Sequence, residues 1–208
     1  MVMSRRIVLT VALSTIMLIT ACVGLITFRT SYENPVSPEV SRSWRLADVK
    51  VTVPRSLTVS EERSVAPNAD IVWREEKLGD RYAQVEGLIR TAAELGAKGL
   101  NGSRPVRVEI FVSTFHALTF EAEALRADVG VHNVDFTIRV VDARSGEILA
   151  GPDAIEAALP AMTGGRMIEA RVHGETQRSQ ITAHLRKVIA GWLGTGPDAR
   201  SSFTRVGE

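Results

Sequence analysis

The sequence predicts an α+β fold, a two-layer sandwich in which a mostly antiparallel sheet carries two main helices on one face. Stretches of alternating apolar residues predict the strands, and two stretches with an apolar residue every three or four positions predict the helices. Their order is strand, short strand, helix, strand, long hairpin and helix. One-sided helices bury their apolar stripes against the apolar face of a sheet, so this order favours two layers.

Two strands and a helix make up the first half of the predicted domain. Apolar residues alternate over 47–53, which predicts a half-buried strand that ends at Pro54. The apolar run 71–73 predicts a second, short strand. Asp80 is the expected N-cap of the first helix, because its side chain can accept a hydrogen bond from a free N–H of the first turn. The apolar face of this helix contains Tyr82, Val85, Ile89 and Ala92.

A long hairpin is predicted in the second half. Apolar and polar residues alternate over 105–114 and again over 129–142, and both ranges predict strands. A turn at 142–147 contains Gly146, which can adopt a positive φ, and the returning strand begins at Ile148.

The last helix is predicted to begin after Thr176 and to end before Gly194. Its apolar face contains Ile181, either His184 or Leu185, Val188, Ile189 and Trp192. Two stretches before it are less regular. Residues 117–128 fit either a helix or a bent strand, and glycines interrupt residues 160–175.

An apolar run with basic residues before it occupies the N-terminus. The run covers 7–28, 22 residues without a charge, and follows Arg5 and Arg6. Basic residues, an apolar core and small residues at the cleavage site are typical of secretory signals. Cys22, the only cysteine, ends the tetrapeptide Ile19-Thr20-Ala21-Cys22. This arrangement resembles a bacterial lipoprotein signal, which implies removal of residues 1–21 and lipidation of Cys22.

An uncleaved transmembrane anchor over 7–28 is the alternative, because the run stays apolar after Cys22 and about 20 apolar residues span a bilayer. The flanking arginines would then hold the N-terminus in the cytoplasm. A cleaved, unlipidated chain and a twin-arginine export route also remain open. Both leading interpretations place residues 30–208 on the periplasmic side. The protein is then lipid-anchored at the outer or inner membrane, or held by a single span of the inner membrane.

Four parts are expected along the chain: the signal at 1–21, a lipidated N-terminus and flexible tether at 22–43, one α+β domain at 44–194, and a mobile polar tail at 195–208.

After removal of the signal, 23 of the 25 basic residues remain beside 24 acidic residues. That balance argues against a nucleic-acid partner, which a basic patch would indicate.

No catalytic pattern stands out. The sequence has no His-Glu-x-x-His, no Gly-x-Ser-x-Gly and no phosphate-binding loop. We therefore expect a non-enzymatic protein that has neither a metal site nor a cofactor. The pair Glu75-Glu76 is expected to be solvated. A possible binding patch consists of Trp73, His116, His132 and Trp192, although the bulk of the two tryptophans favours a place in the core.

Several segments resemble a family of uncharacterised Gram-negative envelope lipoproteins, a domain of unknown function. They are 48–54, 71–76, 79–81, 115–119, 131–134 and 188–194, and the resemblance covers about residues 44–205. It implies membrane anchoring. No activity and no catalytic residues are established for that family, so none are carried over.

These observations favour a membrane-anchored envelope lipoprotein that is an accessory or assembly subunit and binds another envelope protein. One alternative is a ligand-binding or cell-wall-binding periplasmic module, with an aromatic pocket near Trp73 or His116. A second alternative is a hydrolase with a site that has no recognised motif, in which acidic groups and histidines converge around His116 and His132.

The lipid anchor can be tested by the substitution Cys22→Ser. A thioether can form only at the cysteine, so the variant should lose radiolabelled palmitate and keep the signal uncleaved. Unchanged labelling, or processing at the same position, would exclude the lipoprotein interpretation.

Overall fold

The computed structural model of the protein describes residues 26–125 and 130–204. Seven strands in this part form one sheet in the order β2-β4-β5-β6-β1-β7, and β3 pairs with β4 beside β2. The strands are β1 Thr27–Ser31, β2 Trp44–Thr52, β3 Ile71–Val72, β4 Arg104–His116, β5 Val131–Asp142, β6 Ile148–Pro160 and β7 Ser201–Thr204. The helices are α1 Pro38–Ser41, α2 Arg81–Gly96, α3 Phe120–Glu123, α4 Gly164–Val172 and α5 Gln177–Trp192.

The predicted α+β architecture is confirmed. β4, β5, β6, β1 and β7 pair antiparallel, whereas β2 and β3 run parallel to β4. The long helices α2 and α5 pack together, and their apolar faces join the alternate apolar side chains of the strands in one core. A sheet that is apolar on one face needs only one layer of helices to bury it, which explains the two-layer form.

Caps and a glycine contact position the two long helices. Asp80 accepts a hydrogen bond from the Ala83 amide at 3.2 Å, as predicted. Thr176 and Ser179 each accept a bond from the other's backbone N–H and form a capping box at the start of α5. At Gly96, an added Cβ would lie 2.9 Å from the carbonyl oxygen of Arg186. Glycine therefore allows α2 and α5 to approach closely.

The structure contradicts the flexible tether predicted for 22–43 over its described residues, 26–43. β1 pairs with β6 and with β7, and Tyr32 and Val36 are buried. The Val36 amide donates to the carbonyl oxygen of Trp192 at 2.7 Å. Apolar and polar residues do not alternate clearly in β1, and its one buried residue is Thr30. A search for apolar periods in the sequence therefore does not detect this strand.

The mobile tail predicted for 195–208 is wrong for the described residues 195–204, because β7, like β1, lacks an apolar period. Residues 201–204, expected in a mobile tail, form β7 at the edge of the sheet. Phe203 stacks on Phe28 with ring centroids 5.7 Å apart. Because Phe28 lies in β1, a membrane-spanning segment could not extend to this residue, which shortens the alternative anchor 7–28 at its C-terminal end.

Two irregular stretches contain helices. Residues 120–123 form α3, capped by Thr119, and α4 begins at the two glycines of the interrupted stretch 160–175. The returning strand continues through a cis peptide bond at Gly151–Pro152 as far as Pro160. The predicted turn is confirmed, with Gly146 at φ +78°.

We call the end of the sheet where β1 begins the proximal end. Val131 pairs with Pro160 there, and α3 and α4 follow the ends of β4 and β6. The opposite, distal end contains the turn at 142–147. Within residues 26–125 and 130–204, no helix combines the length and the apolar character that crossing a membrane requires.

His132 is a polar group within the core. Its side chain is fully buried, and among the described residues neither ring nitrogen has a hydrogen-bond partner. Burial lowers the pKa of His132 to about 4. The neighbouring His184 has its pKa lowered to about 4 by burial and then by Lys187, and its Nε2–H donates to Thr30 Oγ1 at 3.0 Å. Both histidines are therefore neutral at pH 7.

This burial predicts a loss of stability in acid. The pKa of His132 is lower in the folded protein than in the unfolded chain. Between pH 6.5 and 4 the unfolded chain therefore binds more protons, and the free energy of unfolding decreases as the pH falls. One pKa unit corresponds to about 1.4 kcal/mol, so the effect of His132 is on the order of 3 kcal/mol. Urea unfolding of the full chain at about pH 7 and about pH 4.5 should show this loss, and His132→Leu should reduce it.

The exposed His173 provides the control. His173→Gln should keep the pH dependence of the wild type. An equal loss of stability in the wild type and in His132→Leu would show that the buried ring does not control acid sensitivity.

Candidate functional site

A cleft of about 560 Å³ lies between α2, α5 and the segment 195–199, toward the distal end. We call it the α2–α5 cleft. Small or apolar residues make up much of its lining, and we call this set the apolar floor: Leu95, Gly96, Ala183, Ala190, Pro197 and Ala199. A concave apolar floor of this size can accommodate one or two side chains of a bound peptide.

The segment 195–199 forms a fixed wall of this cleft. The amides of Thr195 and Gly196 both donate to the carbonyl oxygen of Ala190 at 3.0 Å. The Tyr32 hydroxyl donates to Asp198 at 2.7 Å and accepts from the Ala199 amide at 3.0 Å. The segment just after β1 therefore holds one wall of the cleft.

Three cations surround the apolar floor. Lys98 follows α2, and Arg186 and Lys187 lie on the exposed side of α5. Among the described residues, no carboxylate lies within ion-pairing distance of any of the three. Their charge is therefore available to a ligand.

Asp198 is the one acidic residue that lines the cleft in the described part of the chain, and Arg200 balances its charge. The Arg200 guanidinium donates to both carboxylate oxygens and holds the pKa of Asp198 well below its usual range, with help from the Arg200 amide and the Tyr32 hydroxyl. The cleft thus keeps a net positive charge.

Apolar and cationic groups dominate the lining of the cleft. The described residues that form it include Lys98, Arg186 and Lys187 but no His, Cys, Ser or Glu side chain. What the cleft offers is apolar contact flanked by cations. This combination suits an apolar side chain next to one or two carboxylates.

The tryptophans of the predicted binding patch lie in the core. Trp73 and Trp192 are fully buried. Trp73 packs edge-on against Phe115 at 5.5 Å between ring centroids, and the Trp192 indole N–H donates to Asp153 at 2.9 Å. Neither ring is available to a ligand.

The two histidines of that patch do not converge either. His116 pairs with Asn133, the residue after His132, so the two imidazoles lie on opposite faces of the sheet. His116 Nε2 lies 2.5 Å from the Ala69 carbonyl oxygen in a shallow polar hollow, and His132 is enclosed. The four predicted residues thus form no common exposed surface.

Residues of the α2–α5 cleft could not be identified from the sequence. Arg186 and Lys187 lie off the apolar stripe of α5, which is usual for any solvent-facing helix. Only the folded chain brings Lys98 and the segment 195–199 beside them. In the described part of the chain, no group of three or more His, Cys, Asp or Glu side chains could hold a metal ion. Cys22 and the tripeptide Ile19-Thr20-Ala21 lie outside that part.

A PelC dodecamer and a protein of family DUF330 are among the solved structures that match this chain. A PelC dodecamer from Paraburkholderia phytofirmans matches with 11% identity over 79% of this chain and 95% of that chain, with a TM-score of 0.34. Protein XCC0632 from Xanthomonas campestris, of family DUF330, matches with 10% identity over 79% and 91%, with a TM-score of 0.43. Identities and TM-scores this low indicate no function for this chain. No curated protein matches the sequence.

A match to a protein family extends over the whole predicted domain and the residues after it. The family described as "Family of unknown function (DUF6778)" matches residues 44–208, which is most of the chain. This range agrees with the extent of about 44–205 expected from the sequence. The protein belongs to the DUF6778 family of unknown function.

Proposed function

We propose that the protein is a membrane-anchored lipoprotein of the Gram-negative envelope that binds an acidic, partly apolar segment of another envelope protein in the α2–α5 cleft. In this proposal it acts as a non-enzymatic accessory or assembly subunit. The observation that carries the proposal is the apolar floor surrounded by Lys98, Arg186 and Lys187.

The charges of the cleft support a protein segment as the ligand. Solvent-exposed cations attract carboxylates and raise the rate of association. Burial of apolar surface against the apolar floor then stabilises the bound complex. The rigid wall at 195–199 supports a preformed site, because hydrogen bonds from Tyr32 and to Ala190 already fix it. A preformed site avoids the entropic cost of ordering a loop on binding.

The N-terminal sequence supports the membrane anchor. Cys22 lies a few residues before Thr27, where β1 begins. About five residues span at most about 18 Å when extended, so a lipid on Cys22 would hold the domain close to the bilayer. Several acyl chains on one cysteine anchor a protein stably, because each buried CH₂ contributes about 0.8 kcal/mol.

Binding in the cleft can be tested by photo-crosslinking in cells that produce the full chain with benzoylphenylalanine at Ala183. We expect an adduct with an envelope protein. The triple substitution Lys98→Glu, Arg186→Glu and Lys187→Glu should reduce this adduct about tenfold, because three repulsive charges would then face an acidic segment.

A matched triple substitution controls for net charge. Arg45, Lys50 and Arg144 are exposed cations outside the cleft, and their replacement by glutamate should leave the adduct unchanged. No adduct at position 183, or an equal decrease in both triple variants, would contradict a role for the cleft.

A further inference from the structure

Exposed apolar side chains are concentrated at the proximal end of the domain. Ten large apolar residues are exposed in the described part, and three of them lie elsewhere: Val40 and Ile148 distally, and Phe111 on the open sheet face. The other seven lie near the start of β1 or in the segments that connect strands and helices at the proximal end. They are Ile26, Val65, Leu78, Phe120, Leu125, Ile168 and Val172.

The helix α4 presents the most exposed part of this surface. Ile168 is 68% exposed and Val172 is 79% exposed. They are four residues apart and therefore lie on one side of the helix. Met167 and Ala170 are buried on the other side. Two apolar sides on a nine-residue helix are unusual, because the core needs only one of them.

Ion pairs hold α4 in place. Arg171 donates to both carboxylate oxygens of Glu75 at 2.9 Å and to both of Glu123 at 2.8 and 3.1 Å. The Gln177 amide donates to Glu123 at 2.5 Å and accepts from the Leu118 amide at 3.0 Å. Glu75, expected to be solvated, is thus mostly buried, and α4, α3 and the segment before α2 form one unit.

The charges around this surface are mixed. Leu78 and Phe120 border a groove of about 550 Å³ together with the cations Arg63 and Lys77. Glu169, next to Ile168, is exposed as well. A surface with large apolar side chains and both signs of charge favours apolar contact over attraction to a strongly charged partner.

We infer that the proximal end, with Ile168 and Val172 at its centre, rests on the lipid surface of the membrane that holds the N-terminus. This inference rests on the proposed anchor. Ile26 is itself 69% exposed and lies within the apolar run that begins at residue 7. The chain therefore leaves the domain toward the membrane at the end where the apolar side chains are exposed. An amphipathic helix in the interfacial plane buries such side chains at the boundary between headgroups and acyl chains.

The contact can be measured with an environment-sensitive maleimide fluorophore on two full-length variants, Ile168→Cys and Ile148→Cys. Both positions are exposed isoleucines, one at the proximal and one at the distal end. Each variant is reconstituted in vesicles of phosphatidylethanolamine and phosphatidylglycerol that contain a nitroxide-labelled lipid. Any label on Cys22 contributes equally to both. We expect at least about twofold stronger quenching at position 168, little changed by salt, and the same result for Val172→Cys.

Flotation of the same samples separates this inference from the anchor. If the chain floats with the vesicles but both positions are quenched equally, the anchor holds and the lipid contact is wrong. If position 168 is shielded from aqueous iodide without lipid quenching, a protein surface covers α4, and the inference is also wrong. A chain that does not float contradicts both the anchor and the contact.

Discussion

The pairing of β1 with β6 is the constraint on which the rest of the structure depends. Thr30 lies opposite Ala157, its hydroxyl donates to the carbonyl oxygen of Ala158, and it accepts from His184 of α5. One short strand therefore connects the N-terminal segment with the sheet and the helical layer at once. β7 pairs with the other side of β1, so the last strand of the sheet is attached through β1.

This constraint gives the domain two different ends. The exposed apolar side chains of α4 lie at the end where β1 begins, whereas the α2–α5 cleft lies toward the opposite end. Tyr32, which follows β1 immediately, binds Asp198 and Ala199 in the wall of the cleft. In the proposed arrangement, a protein fixed to a membrane before its first strand would present its positively charged cleft away from the lipid, on the side open to the proposed partner.

The sequence predicts those parts of the fold that have a local period. The strands from β2 to β6, the turn at Gly146 and both long helices follow from apolar spacing and capping residues. The pairing of β1 with β7 does not, because both strands are short, mostly polar and far apart in sequence. α4 begins with two glycines and has apolar residues on two sides, so no single stripe marks it. The cleft is assembled from three separate segments, and no spacing within any one of them indicates that they meet.

Residues 27–31 belong to the folded domain, and hydrogen exchange of the membrane-bound full chain can test their place in the sheet. We predict that the amide of Thr30 exchanges as slowly as those of β6, because Thr30 pairs with Ala157 of β6 on one side and with Ser201 of β7 on the other. Exchange of this amide at the rate of an unstructured peptide, with β6 still protected, would contradict this pairing and restore a flexible tether.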